Sequence, residues 1–251
     1  MIKTGLVSIS FRKFSPEKII GMVKKAQLDG IEWGGDIHVP HGDVQTAKDV
    51  RRLTLEAGLE IAAYGSYYRV GCEKEYNLSF DAVLHSAQAL GAPLIRVWAG
   101  NIPSVKADDA YRENMIAETG RIAKAAAEIG IQIAYEFHAN TLTDTIESTM
   151  DLLNRRSNCN VYSYWQPPIG TIESEQMGML DQINKYLTNI HVYHWQDRER
   201  MPLNNALDRW KRLMTKIKTY KGDRYAMIEF VKDDTEEQFY SDAQALKAIV
   251  R

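Results

Sequence analysis

Cysteine is nearly absent from the 251 residues: Cys72 and Cys159 stand 87 positions apart with no CxxC spacing, which suggests neither a disulfide scaffold nor a zinc ribbon. No apolar run approaches the ~20 residues that span a bilayer, so a membrane protein is not expected. Charge of either sign is not in excess. Lys and Arg number 31 against 33 Asp and Glu, a formal net of −2, and so no global field draws in nucleic acid or anionic lipid. The opening MIKTGLVSISFRKF has too short an apolar stretch for a signal-peptide core and reads as a first strand. With so little cysteine, a reducing cytoplasm is the expected compartment. A glycine-rich phosphate loop is missing as well: no GxGxxG or Walker-type sequence occurs, and the first strand runs into SFRKFSPE. That argues against an open doubly wound nucleotide-binding sheet.

What is present is a recurring junction in which an amphipathic helix ends at glycine and a β-branched strand begins. It occurs as LDGIEW at Gly30, AGLEIAA at Gly58, LGAPLIRVW at Gly91 and EIGIQIAYE at Gly130. Glycine enters the left-handed region without a Cβ penalty, which suits the position after a helix. Ser15 before Pro16, Asp43, Ser79, Asp109 and Thr143 are candidate caps or first-turn residues, and Thr235 with Gln238 spells a capping box. Met115, Thr119, Ile122, Ala126 and Ile129 recur at helical spacing and predict a stripe that packs on a sheet. Strands are expected near 4–10, 31–35, 59–66, 94–99, 131–138, 160–166, 189–195 and 225–231, with a last helix over about 236–249. Eight β/α units across residues 1–251 predict one domain, an α/β (β/α)8 barrel, since such barrels typically hold ~250 residues.

In such a barrel the working residues sit at the C-terminal ends of strands. Those ends offer Glu136 in IAYEFH, Gln166 in VYSYWQPP, His194 in IHVYHWQD and Glu229 in AMIEFV, spaced 30, 28 and 35 residues apart. Two carboxylates, an amide oxygen and an imidazole form a hard ligand set suited to one Mn²⁺, Mg²⁺ or Co²⁺ ion, with Zn²⁺ a further candidate. His191 and His194 differ by three positions and point to opposite strand faces, so only one can face the mouth. His194 is taken as the ligand because it lies nearer the strand end, with Asp197 following as an acceptor. Glu136 and His138 differ by two and share a face, which brings His138 toward substrate or metal.

With these residues the sequence resembles the xylose isomerase-like TIM-barrel superfamily of sugar phosphate isomerases and epimerases, which also includes endonuclease IV-like proteins. The likeness is carried by GIEWGGDIHVPHGD, AYGSYYRVG, LIRVWAG, YEFHANTLTDT, HVYHWQDR and MIEFV. It implies a mononuclear divalent metal held by Glu136, Gln166, His194 and Glu229, although the epimerase branch usually has Asp where this chain has Gln166. It also implies an enediolate mechanism on a sugar or sugar phosphate, with Glu136 and Glu229 as the proton-transfer pair. Arg200 is expected on substrate oxygens and His38 at the mouth. Trp98 and Trp165 offer apolar walls for a sugar ring, and of Tyr67 and Tyr68 one is expected to close over substrate. Arg69, Lys106 and Arg200 are the candidate phosphate contacts.

Rival readings differ in what they need. Endonuclease IV-like DNA repair needs a histidine-rich trinuclear zinc site, and six histidines, with His85 in a predicted helix, are too few. A metal-dependent dehydratase of a sugar- or inositol-derived ketone would use the same enediolate and is compatible with every motif. A Schiff-base aldolase would need Lys232 desolvated, yet Asp233 and Asp234 follow it in a solvated loop. A non-catalytic sugar-binding relative is suggested by Gln166 alone. The partner expected is a small molecule, with neither nucleic acid nor membrane, and a homo-oligomer is compatible.

Overall fold

A computed structural model describes residues 1–251. Eight parallel strands close into a barrel: β1 (Ile2–Val7), β2 (Gly30–Gly34), β3 (Glu60–Arg69), β4 (Leu94–Trp98), β5 (Gln132–Tyr135), β6 (Val161–Trp165), β7 (Leu187–Val192) and β10 (Arg224–Ile228). Closure comes from β1 against β10, in register from Ile2 with Arg224 to Leu6 with Ile228. The two further strands, β8 (Trp195–Gln196) and β9 (Glu199–Arg200), form a small hairpin just past β7. The sequence extended the seventh strand through Tyr193 to Trp195; instead the chain leaves the barrel at Val192 and returns on itself, with Asp197 and Arg198 in the left-handed region.

One long helix follows each barrel strand on the outside, from Pro16–Ala26 to Glu236–Val250, and a single extra turn, Glu73–Tyr76, precedes the helix after β3. Ser15, Asp43, Ser79 and Thr235 cap their helices through side-chain oxygens as expected. Asp108 caps the helix in which Asp109 is the first residue, and Thr145 rather than Thr143 caps Ile146–Arg155. Thr143 instead donates its hydroxyl to the Glu136 carbonyl at 2.5 Å. The Thr235 box is one-sided, because the Gln238 side chain turns to Asp242. Gly58, Gly91 and Gly130 do take positive φ where helices end, but at the first junction Gln27 does so and Gly30 lies in β2. A Cβ at Gly30 would stand 2.8 Å from the Glu60 carbonyl oxygen, so glycine there serves strand–strand approach.

Packing divides the interior into two compartments. The larger apolar cluster lies between strands and helices and takes in Met115, Ile122 and Ala126 of the predicted stripe, while Ile129 at its end stays exposed. The smaller cluster, Val7, Ala62, Ala63, Leu94, Ala134, Tyr164 and Met227, fills the barrel itself. Side chains alternate along a strand, so residues two positions on from Ala134, Tyr164 and Met227 also point inward, one layer nearer the mouth. They are Glu136, Gln166 and Glu229. Both cysteines are free, and no helix is long and apolar enough to cross a membrane.

Candidate active site at the barrel mouth

Glu136, Gln166 and Glu229 each stand one residue past the end of a strand, and all three are buried. Backbone bonds from Glu136 N to the Val97 carbonyl and from Glu229 N to the Val192 carbonyl lock the two glutamates onto neighbouring strands. The histidine that meets them is His191, fully buried on β7 and in register with Met227. His191 Nδ1 lies 2.8 Å from Gln166 Oε1, 3.3 Å from Glu229 Oε2 and 3.6 Å from Glu136 Oε1. The ligand atoms of Glu136, His191 and Glu229 all fall within 4.8 Å of one another, a group that could hold a metal ion.

His194, the histidine expected from the sequence, is not part of this group. It lies beyond the end of β7, half-buried, with Nδ1 3.4 Å from Arg209 Nη2. Nearness to the strand end favours His194, whereas alternation along the strand favours His191. Ile190 and Val192 belong to the helix-facing core, so the residue between them must face the barrel, and His194 shares the outer parity.

Two further charged residues reach the same layer and were not singled out in the sequence. Glu32 on β2 and Arg96 on β4 are both buried, and Arg96 Nε donates to Glu32 Oε1 at 2.6 Å. Arg96 Nη1 donates to Glu136 Oε2, which also accepts from Trp98 Nε1 at 2.5 Å. The signal was present: each is a charge between apolar neighbours, Ile31 and Trp33 or Ile95 and Val97, inside a short strand. Burial alone would raise the Glu136 carboxyl pKa, but the charge of Arg96 and contact with His191 hold it well below the usual range. Glu32 is lowered in the same way, its burial outweighed by Arg96 and His191. For His191 burial opposes protonation, and the carboxylates of Glu229, Glu32 and Glu136 overcome it and push the pKa well up.

Above this layer opens a cavity of about 1020 Å³, lined by Glu136, Gln166 and Glu229 at its floor. Trp98, His138, Tyr67 and Arg200 line it as the sequence suggested. The His138 ring stacks on Trp98 with centroids 4.3 Å apart, and Tyr67 meets Trp98 edge-on at 5.2 Å. His138 Nδ1 must donate to the Ala139 carbonyl at 2.7 Å, because a carbonyl only accepts, leaving Nε2 as the ring's free acceptor.

His38 does not line the cavity: it is buried behind it, Nε2 donating to the Phe14 carbonyl and Nδ1 2.9 Å from Ser8 Oγ. Trp165 is likewise core, packed edge-on against Trp210, and Tyr68 turns away to Phe80 and Glu73. Of the phosphate candidates, Arg69 stacks over Trp98 without lining the cavity and Lys106 is exposed elsewhere. Lys232 is half-buried beside Asp233, not desolvated as an imine-forming lysine would need.

Comparison with known proteins agrees with this architecture. A curated 3-dehydroshikimate dehydratase of Bacillus anthracis is 23% identical over 205 residues, 76% of this chain and 71% of that one. The crystal structure of a probable 3-DHS dehydratase of B. anthracis superposes with TM-score 0.80 at 18% identity, covering 98% of this chain and 99% of the other. A D-psicose 3-epimerase from Clostridium cellulolyticum aligns with TM-score 0.72 at 16% identity over 98% and 97% of the two chains. A magnesium complex of a barrel protein from Mycobacterium smegmatis aligns with TM-score 0.72 at 13% identity over 100% and 97%. The family profile described as xylose isomerase-like TIM barrel matches residues 20–249, and the chain belongs to that family.

Proposed function

We propose that the chain carries out metal-assisted proton abstraction next to a carbonyl in a small polyhydroxylated molecule, as a sugar isomerase or epimerase. The observation that carries this reading is the convergence of Glu136, Gln166, His191 and Glu229 on one point at the floor of a single cavity. The donor set fits a divalent ion such as Mn²⁺, Mg²⁺ or Co²⁺, with Zn²⁺ also accommodated. A buried oxygen, Glu229 Oε2, accepts no hydrogen bond and has only the His191 ring, 3.3 Å away, as an ion-pair partner, an arrangement that a divalent cation between the two side chains would improve. When bound, the ion would polarise a carbonyl and stabilise the enediolate formed on loss of the neighbouring proton.

The chain's own residues divide the remaining work. Glu136, with Oε2 held by two donors and its carboxyl strongly acidic, suits charge holding rather than proton carrying. This revises the sequence expectation that both glutamates move protons. Glu229 and the free Nε2 of His138 are the groups that can take and return a proton. Tyr67 and Trp98 give an apolar wall for a C–H face. Arg12 and Arg200 at the rim are already paired, with Asp36 and Asp234 at 2.6 Å, which supports an unphosphorylated substrate. Lys13 is the cation left free there.

A second reading, dehydration, is favoured by one observation. With Glu136 held, the proton carriers are one carboxylate and one imidazole, an unequal pair suited to removing a proton and then protonating a departing hydroxide. The similarity to a dehydratase points the same way. Incubation with Mn²⁺ in D₂O, using D-fructose, D-tagatose and 3-dehydroshikimate, separates the readings by NMR. Deuterium beside the carbonyl with a new isomer supports the first reading. Water loss with a new ultraviolet band supports the second. No exchange into any of the three by metal-loaded protein would overturn the proposed chemistry for these substrate types.

A further inference from the structure

The candidate metal ligands Glu136 and His191 belong to a closed ring of ionisable side chains whose other two members, Glu32 and Arg96, have no part in the proposed function. Glu32 Oε1 accepts from Arg96 Nε at 2.6 Å, and Arg96 Nη1 reaches Glu136 Oε2. Glu136 Oε1 lies 3.6 Å from His191 Nδ1, and His191 Nε2 lies 3.5 Å from Glu32 Oε2, which completes the ring. Its members come from β2, β4, β5 and β7, and none exceeds 4% side-chain exposure. Buried charges of this kind are often replaceable by apolar residues without loss of stability, so their presence calls for a reason other than packing. The barrel wall is also hollowed out for them. A Cβ at Gly65 would stand 2.7 Å from both Arg96 Nη2 and Glu32 Oε1.

The ring's connections orient the ligand atoms above it. Without a metal, His191 Nδ1 donates to Gln166 Oε1 at 2.8 Å, since an amide oxygen only accepts, and the Glu32 acceptor favours a second proton on Nε2; a cation that displaces the Nδ1 proton then meets a lone pair flanked by Glu136 Oε1, Glu229 Oε2 and Gln166 Oε1. Arg96 takes Glu136 Oε2 from below, so that Oε1 is the oxygen turned to His191. We propose that Glu32 is a positioning residue for the metal site: through His191 Nε2, and through Arg96 to Glu136, it presents Nδ1 and Oε1 to a divalent cation. The inference rests on the metal site of the proposed function and adds to it a residue that touches neither ion nor substrate.

The test is calorimetric titration of Mn²⁺ into metal-free full-length protein, comparing wild type, Glu32→Gln and Glu32→Gln/Arg96→Met. Thermal unfolding and the visible spectrum of the Co²⁺-loaded forms are recorded alongside. Loss of such a supporting partner typically weakens metal binding about 10–100-fold, and that is the expected rise in Kd for both variants, with altered Co²⁺ bands. The double variant removes the unpaired guanidinium and guards against misfolding of the single one. A purely structural role would lower the melting temperature yet leave the Kd of folded protein within about twofold of wild type and the Co²⁺ spectrum unchanged, and this overturns the inference. Wild type that binds no Mn²⁺ would defeat the metal site itself, and with it both this inference and the proposed function. Wild-type binding matched by the variants defeats the role of Glu32 alone.

Discussion

His191 and His194 can be told apart by substitution. His191→Ala is expected to abolish binding of one divalent ion per chain, measured by mass spectrometry of metal content, whereas His194→Ala leaves the stoichiometry intact; the reverse pattern would restore His194 as the ligand. Gln166→Asp adds a charge beside His191 Nδ1 but gives up the donor that now bonds the Phe137 carbonyl at 2.7 Å. The charge dominates, and divalent binding should tighten about tenfold by calorimetry. No gain would mean that Gln166 does not meet the ion. At this scale the sequence is informative where a polar residue closes a strand: Glu136, Gln166 and Glu229 stand at three such ends and line one cavity. It was uninformative for His38 and Trp165, because a strand-end or aromatic residue looks the same in a string whether it faces cavity or core.

Alternation along a strand decides which residues meet at the mouth, and β7 shows how a boundary error propagates. A strand drawn to residue 195 places His194 nearer its C-terminal end than His191, although the apolar pair Ile190 and Val192 already marks the helix-facing side. The same rule applied to β2 and β4 would have exposed Glu32 and Arg96 as inward-facing. In β3 the informative residue is a glycine. Gly65→Ala is expected to cost about 1–3 kcal/mol, since the added methyl meets two buried, hydrogen-bonded atoms rather than flexible chain ends. Urea denaturation measures it; an unchanged midpoint would mean that the Glu32–Arg96 pair moves aside freely. Helix ends were legible through Ser15, Asp43, Ser79 and Thr235, where capping is local chemistry. Thr143 departs from the expected cap because its partner, the Glu136 carbonyl, comes from the end of β5 seven residues back rather than from the helix it precedes.

For the whole molecule, the buried cluster links stability to pH in two directions. Glu32 and Glu136 have lowered pKa values, so their contribution is full above the ordinary carboxylate range and is lost progressively as pH falls from there toward the folded values. His191 has a raised pKa; its contribution is full below about 6.5, the unfolded value, and is lost as pH rises toward the folded one. The cluster should therefore stabilise the metal-free protein most between about pH 4.5 and 6.5. Urea midpoints from pH 4 to 9 are expected to fall on both sides, with His191→Gln flattening the alkaline limb and Arg96→Met the acid limb. Identical profiles for all three proteins would contradict the linkage. The sequence by itself determined the repeat, the closed barrel that eight β/α units imply, and the strand ends that carry Glu136, Gln166 and Glu229, because periodicity, caps and turn glycines are local. It took the folded barrel to show that His191 is the histidine that meets them, that Glu32 and Arg96 close a ring with it and Glu136, and that His38 stands behind the wall. Those facts depend on contacts across barrel strands, from Glu32 to His191 above all, that no spacing along the chain encodes.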